Sequence, residues 1–112
     1  MDKKIDQETE KQIYELQILE QNLQSLIMQK QAFQVELSET EAAISELGKT
    51  EGDVFKIIGS IMIKSKREGL IKELNHKKEL INLRLKSIDR DEGPLIETAE
   101  KLREKVLSKI KN

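Results

Sequence analysis

Cysteine is absent from the 112 residues. That excludes disulfides and thiolate metal ligands and fits a reducing compartment. Tryptophan is also absent, and one Tyr and two Phe bring aromatics to only 3% of the chain, too few for the bulky core of an ordinary globular domain. No apolar run approaches the roughly 18 residues of a membrane helix. The first residues, MDKKIDQETEK, lack the apolar centre of a signal peptide. These absences lead to the expectation of a soluble cytoplasmic protein that does not contact a membrane. Catalytic apparatus is equally sparse. The one histidine, His76, lies beside Lys77 and Lys78 and reads as a solvated helix residue. The Asp and Glu residues are spread along the chain with no pocket to raise a carboxyl pKa, and no Gly-rich phosphate loop occurs. The expectation is a protein that is not an enzyme and that uses no cofactor and no metal.

What the chain does contain is charge, 37% of its residues, unevenly placed. Residues 1–52 hold 5 Lys against 11 Asp or Glu, whereas residues 53–112 hold 15 Lys or Arg against 10 Asp or Glu. A basic half can serve nucleic acid. Here acids interrupt it throughout and no aromatic side chains accompany it, so an acidic segment packed against a basic one is preferred, with no nucleic-acid partner.

Apolar residues recur in alternating steps of three and four, the seam of a coiled coil. One series runs Leu16, Leu19, Leu23, Leu26, Lys30, Phe33, Leu37, Thr40, Ile44, Leu47. The other runs Ile71, Leu74, Lys78, Ile81, Leu85, Ile88, Glu92, Leu95, Ala99, Leu102, Val106, Lys109. Seventeen of these 22 positions are apolar, where a 37% apolar chain would supply about eight by chance. Pairing residues whose numbers sum to 118, such as Leu37 with Ile81 and Leu23 with Leu95, makes most layers apolar on apolar in an antiparallel hairpin. The expected elements are helix 1 over 5–48, a β-hairpin over 53–64 and helix 2 over 66–110. All belong to a single domain, mainly α, whose two helices form a long antiparallel coiled coil. Gly48 is read as a left-handed helix cap. Ser65-Lys66-Arg67-Glu68 has the form of a capping box. Gly93-Pro94, inside the second series, predicts a kink.

The middle segment breaks the pattern. Val54-Phe55-Lys56-Ile57-Ile58 and Ile61-Met62-Ile63-Lys64 flank Gly59-Ser60, a two-residue turn signal between β-rich runs. Seven of the nine strand residues are apolar and they fall on both faces, a pattern of burial on both sides. A lone two-stranded hairpin is marginal in water and leaves its edges unpaired. The expectation is that hairpins from several chains join, so Val54, Phe55, Ile57, Ile58, Gly59, Ile61, Met62 and Ile63 form an oligomerisation element with a β-barrel platform.

Long helix, apolar hairpin and long helix together resemble prefoldin, in its β-class subunits of archaeal type. The matching residues are Val54-Phe55-Lys56-x-x-Gly59 with the following Ile61-Met62-Ile63-Lys64, and Glu79-Leu80-Ile81-x-Leu83-Arg84 in the second helix. Gly93-Pro94 departs from the uninterrupted helix usual in that family. The resemblance implies a hexamer of two α-class and four β-class subunits, with coiled coils hanging from a double β-barrel. It further implies an ATP-independent holdase of the cytosol that captures unfolded polypeptides and passes them to a group II chaperonin. Client contact would then fall at the helix ends, where Ile5, Ile13, Tyr14, Val106, Leu107 and Ile110 lie around a seam weakened by Thr9, Gln12 and Lys109. Two other readings remain: a structural coiled-coil spacer or adaptor that binds no client, and a nucleic-acid-binding coiled coil using Lys64, Lys66, Arg67 and Lys72.

Overall fold

Helix α1, Gln7–Lys49, begins where Asp6 caps it. The Asp6 carbonyl accepts the amide of Glu10 at 3.0 Å, the first helical bond, and its Oδ1 accepts the amide of Thr9 at 2.7 Å. This is the N-cap geometry that satisfies an otherwise orphaned donor. Hydrogen bonds from Thr9 hold the Asp6 carboxyl below its ordinary pKa. A computed structural model describes residues 6–111, so the expected start at Ile5 lies outside the described residues.

At its other end α1 does not stop on a left-handed Gly48. Gly48 stays helical, and Thr50 closes the last turn by donating both its amide (2.9 Å) and its hydroxyl (2.6 Å) to the Glu46 carbonyl. The positive φ lies later, at Gly52 (φ 96°), which turns the chain into strand β1, Val54–Ile58. Strand β2, Ile61–Ser65, pairs antiparallel with it, from Val54↔Ser65 to Ile58↔Ile61. Gly59 has φ 60° and Ser60 does not have a positive φ, so Gly59-Ser60 makes a type II′ turn, whose twist matches that of the strands.

Helix α2, Arg67–Lys111, starts without the expected capping box. Ser65 is still in β2 and its hydroxyl donates to the Ile63 carbonyl, while the Lys66 carbonyl accepts the amide of Leu70. The cap is therefore one residue later than the S-x-x-E pattern implies. The Arg67 guanidinium donates to the Gly52 carbonyl at 3.2 Å, tying the start of α2 to the strand entrance.

Pro94 sits inside α2 without ending it. Proline normally disfavours a helical residue before it because its Cδ meets the preceding Cβ. Gly93 has no Cβ, which removes that clash. The missing amide remains, and the Thr98 hydroxyl donates to the Pro94 carbonyl at 2.9 Å, one turn on. Pro94→Ala restores a helical donor, and we expect the unfolding free energy to rise by about 2 kcal/mol, read as a higher denaturant midpoint with unchanged helicity.

The described residues within Met1–Lys30 and Ser87–Asn112 form one compact unit, and Gln31–Lys86 form the other. In the second, Phe33, Leu37, Ile44 and Leu47 of α1 and Ile71, Leu74, Lys78 and Leu85 of α2 are half-buried, and Thr40 and Ile81 are buried. Thr40 is admitted to this apolar layer because its hydroxyl bonds back to the Glu36 carbonyl at 2.7 Å. In the first unit, Leu16, Leu19, Leu23, Leu26, Leu95 and Leu102 are half-buried, and Thr9, Ile88, Ala99 and Val106 are buried. Cross-helix ion pairs run antiparallel there, with Lys30 to Asp89 at 2.8 Å and Arg103 to Glu20 at 3.0 Å. Lys30 is itself a seam residue, and its hydrogen bond and charge pairing with Asp89 hold its ammonium above the ordinary pKa. Every one of these layers is thin. No large side chain among the described residues is fully buried, as expected where two helices have only each other to pack against.

Candidate functional site: an apolar hairpin

The hairpin carries the densest exposed apolar surface of the chain. Cross-strand pairing places Ile58, Ile61 and Ile63 with Lys56 on one face, and Phe55, Ile57 and Met62 with Lys64 on the other. All six apolar side chains are exposed, Ile57 at 68%, Met62 at 64% and Ile61 at 62%. Val54 is the exception. It is buried within its own chain at 8%, so its side chain is not available to an oligomer contact, contrary to the sequence expectation. The periodicity of a five-residue strand cannot tell which apolar residue at the root faces the helices.

The hairpin root is braced. Lys56 Nζ meets Glu73 Oε1 of α2 at 2.5 Å, and Lys64 Nζ meets Asp53 Oδ1 at 3.4 Å. Between strand and helices lies a cleft of about 440 Å³ in which the charged Lys56, Glu73 and Lys77 stand among apolar groups such as Phe55, Ile57 and Leu74. Each face thus carries one lysine, Lys56 or Lys64, held by a carboxylate at the base, and apolar side chains make up the rest. Among the described residues the two outer strand edges are unpaired and both faces carry exposed apolar side chains.

The helix ends form a different surface. Tyr14, Leu107 and Ile110 are exposed and Ile13 is half-buried. Ile5 lies outside the described residues. Val106 is 6% exposed and packs in the seam, so it cannot offer its side chain to a bound chain; its place in the three-four repeat is what buries it. Around this end Lys109 Nζ lies 3.8 Å from Glu8 Oε2 and 3.9 Å from Asp6 Oδ2. Gln12 Oε1 is buried without a hydrogen-bond partner. Thr9 is nonetheless buried at 2%, so the seam closes around polar residues here and the exposed apolar groups lie outside it.

His76 is exposed, and no cluster of three or more His, Cys, Asp or Glu suited to a metal ion occurs among the described residues. No helix there is long and apolar enough to cross a membrane.

Comparison with known proteins agrees with this architecture. The family model described as prefoldin subunit matches residues 10–112. Prefoldin subunit beta of Archaeoglobus fulgidus is 40% identical over 95 residues, covering 83% of this chain and 76% of the relative. The Pyrococcus furiosus protein of the same description is 30% identical over 99 residues, covering 87% and 85%. The crystal structure of the prefoldin beta subunit from Thermococcus strain KS-1 superposes with a TM-score of 0.84 at 28% identity and covers 96% of both chains. Helices, hairpin and sequence thus converge, and the chain belongs to the prefoldin β-subunit family of non-enzymatic chaperone subunits.

Proposed function

We propose that this chain works as a cytoplasmic, ATP-independent holdase subunit within a hexamer of two α-class and four β-class subunits. Its hairpin joins those of neighbouring subunits in a β-barrel platform. Unfolded polypeptides are captured at the helix ends and transferred to a group II chaperonin.

The observation that carries this reading is the hairpin itself. Six large apolar side chains stand exposed on both faces of two strands whose outer edges have no partner. Each such side chain contributes about 1.5–3 kcal/mol when fully buried. Burying both faces requires other chains, because a helix pair can cover only one. Pairing hairpins edge to edge satisfies the open backbone groups in the same step. The cleft at the hairpin root supplies room for a neighbouring strand's side chains.

Client capture draws support from the helix ends. Tyr14, Leu107 and Ile110 are exposed apolar groups beside charges that keep the surface hydrated, and Ile13 adds a partly covered one. Such contacts are weak singly, but arms held on one platform act together through effective concentration. Reversible capture follows from many shallow contacts. None of this needs a nucleotide, metal or cofactor.

The test has two stages. Native mass is measured for this chain alone and after co-production with an α-class subunit; a mixed hexamer with four copies of this chain is expected. The hexamer is then compared with one lacking residues 1–14 and 105–112 of this chain. Assembly should persist, and suppression of aggregation of an unfolded enzyme should fall severalfold. A monomer in both preparations would overturn the platform. Full suppression by the trimmed hexamer would remove the client role of the helix ends. An intact hexamer with no suppression at all would favour the adaptor reading.

A further inference from the structure

The two helices of the first unit have very different outer surfaces. Residues 88–106 of α2 carry ten charged side chains in nineteen positions, whereas residues 12–30 of α1 carry three. Of those three, Lys30 pairs with Asp89 and Glu20 with Arg103, which leaves Glu15 as the one charge there without an ion-pair partner among the described residues. The positions of α1 farthest from the seam hold Tyr14, Gln21 and Met28. Tyr14 is 64% and Met28 61% exposed, and Ile18 is exposed on the same outer side, with Gln17, Gln21 and Gln24 between. Outer positions of a two-helix coil ordinarily hold charged residues, whose solvation costs nothing there. This stripe instead consists of apolar groups spaced by neutral amides.

Solubility alone does not explain such a stripe, because Lys or Glu would serve it better. A permanent contact with a second copy does not fit it either. Only three apolar side chains stand on this face and glutamines separate them, whereas a stable interface buries about 800 Å² on each partner. The chemistry matches a transient, extended polypeptide. Each glutamine amide offers donors and an acceptor, complementary to the peptide groups of a chain that has no secondary structure to pair them. The apolar groups meet that chain's apolar side chains, and the lack of charge avoids the desolvation cost of bringing a charged face against them. The stripe is also continuous with the helix end through Tyr14.

We infer that the outer face of α1 between Tyr14 and Met28 is a binding surface for extended, apolar, weakly charged segments of non-native polypeptide. This rests on the reading of the chain as a client-binding subunit and lengthens that site along one helix. It also makes the two helices unequal. Helix α1 grips, and the charged exterior of α2 keeps the loaded arm soluble.

The test uses the full chain in its native assembly and fluorescently labelled, reduced and carboxymethylated α-lactalbumin, a permanently unfolded probe, with binding read by anisotropy. Ile18→Glu/Met28→Glu is expected to weaken binding by about tenfold or more, equivalent to about 1.4 kcal/mol per factor of ten. Helicity and native mass should be unchanged, and Ile18→Leu/Met28→Leu should bind as the parent does. Leu107→Glu/Ile110→Glu reports separately on the helix end. Parent-like binding by the Ile18/Met28 glutamate variant, with loss only in the Leu107/Ile110 variant, would overturn the α1 face and leave end capture standing. No loss in either variant would overturn both. A fall in native mass for Ile18→Glu/Met28→Glu would assign the face to contact between copies instead and overturn the inference.

Discussion

Lysine at both Ile57 and Ile61 is expected to reduce the assembly to single subunits. The two residues lie on opposite faces of the hairpin, so one ammonium is introduced into each apolar surface. Burying an unpaired charge costs several kcal/mol, against the 1.5–3 kcal/mol each isoleucine contributes when covered. In the proposed barrel the swing would be repeated in every hairpin, so the expected effect on assembly is larger than any single-site number. The helices should survive, since neither side chain packs in the seam and both are well exposed in the isolated chain. Native mass spectrometry or sedimentation reads the result, with circular dichroism as the folding control. The valine pair Ile57→Val/Ile61→Val should keep the native mass, because it preserves β-propensity and most of the apolar area. An unchanged mass with lysine at both positions would place the interface elsewhere.

The largest effect on stability is expected at Ile81. Its side chain is 4% exposed in the second unit, whereas Leu80, the preceding residue on the same helix, is 50% exposed. Ile81→Ala removes three buried carbons and leaves a cavity that two helices cannot close by collapse, at a cost of about 2–4 kcal/mol. Leu80→Ala removes as many carbons from a solvated face and should cost no more than about 0.5 kcal/mol. Alanine suits a helix better than isoleucine does, so propensity slightly offsets the first loss and cannot produce it. Urea denaturation of the two variants under identical conditions measures the difference. Equal midpoints would mean that the seam at this layer supplies little of the stability.

The contrast between these neighbours shows what periodicity can reveal. Side chains three and four residues apart share one face of a helix, so the repeat through Leu37, Ile44, Ile81 and Leu85 specified two helices that pack along a stripe. The Gly-X pair between two β-rich runs specified a hairpin, because Gly59 adopts a positive φ without a steric cost. These signals are local and repeat many times. They are legible for that reason.

Where one residue decides between two outcomes, the sequence was ambiguous. Gly48 is a plausible helix terminator, yet Thr50 can donate twice to the Glu46 carbonyl, so the helix continues and Gly52 takes the turn. Ser65 has the form of a cap, but strand pairing with Val54 claims its backbone first. The Asp6 cap is local chemistry, an Asp side chain accepting the amide three residues on, and is readable in the sequence.

The sequence by itself determined the helix–hairpin–helix order, the seam and the scarcity of catalytic groups, since these depend on composition and on spacing along one chain. Tertiary structure alone decided which apolar residues are spent on the chain's own packing and which are left over. Val54 and Val106 turn inward, while Ile57, Ile61, Tyr14 and Met28 stay in solvent. Hydrophobic burial has no direction of its own. It is the position of the neighbouring helix or strand that makes one valine a core residue and the next isoleucine a surface for another molecule.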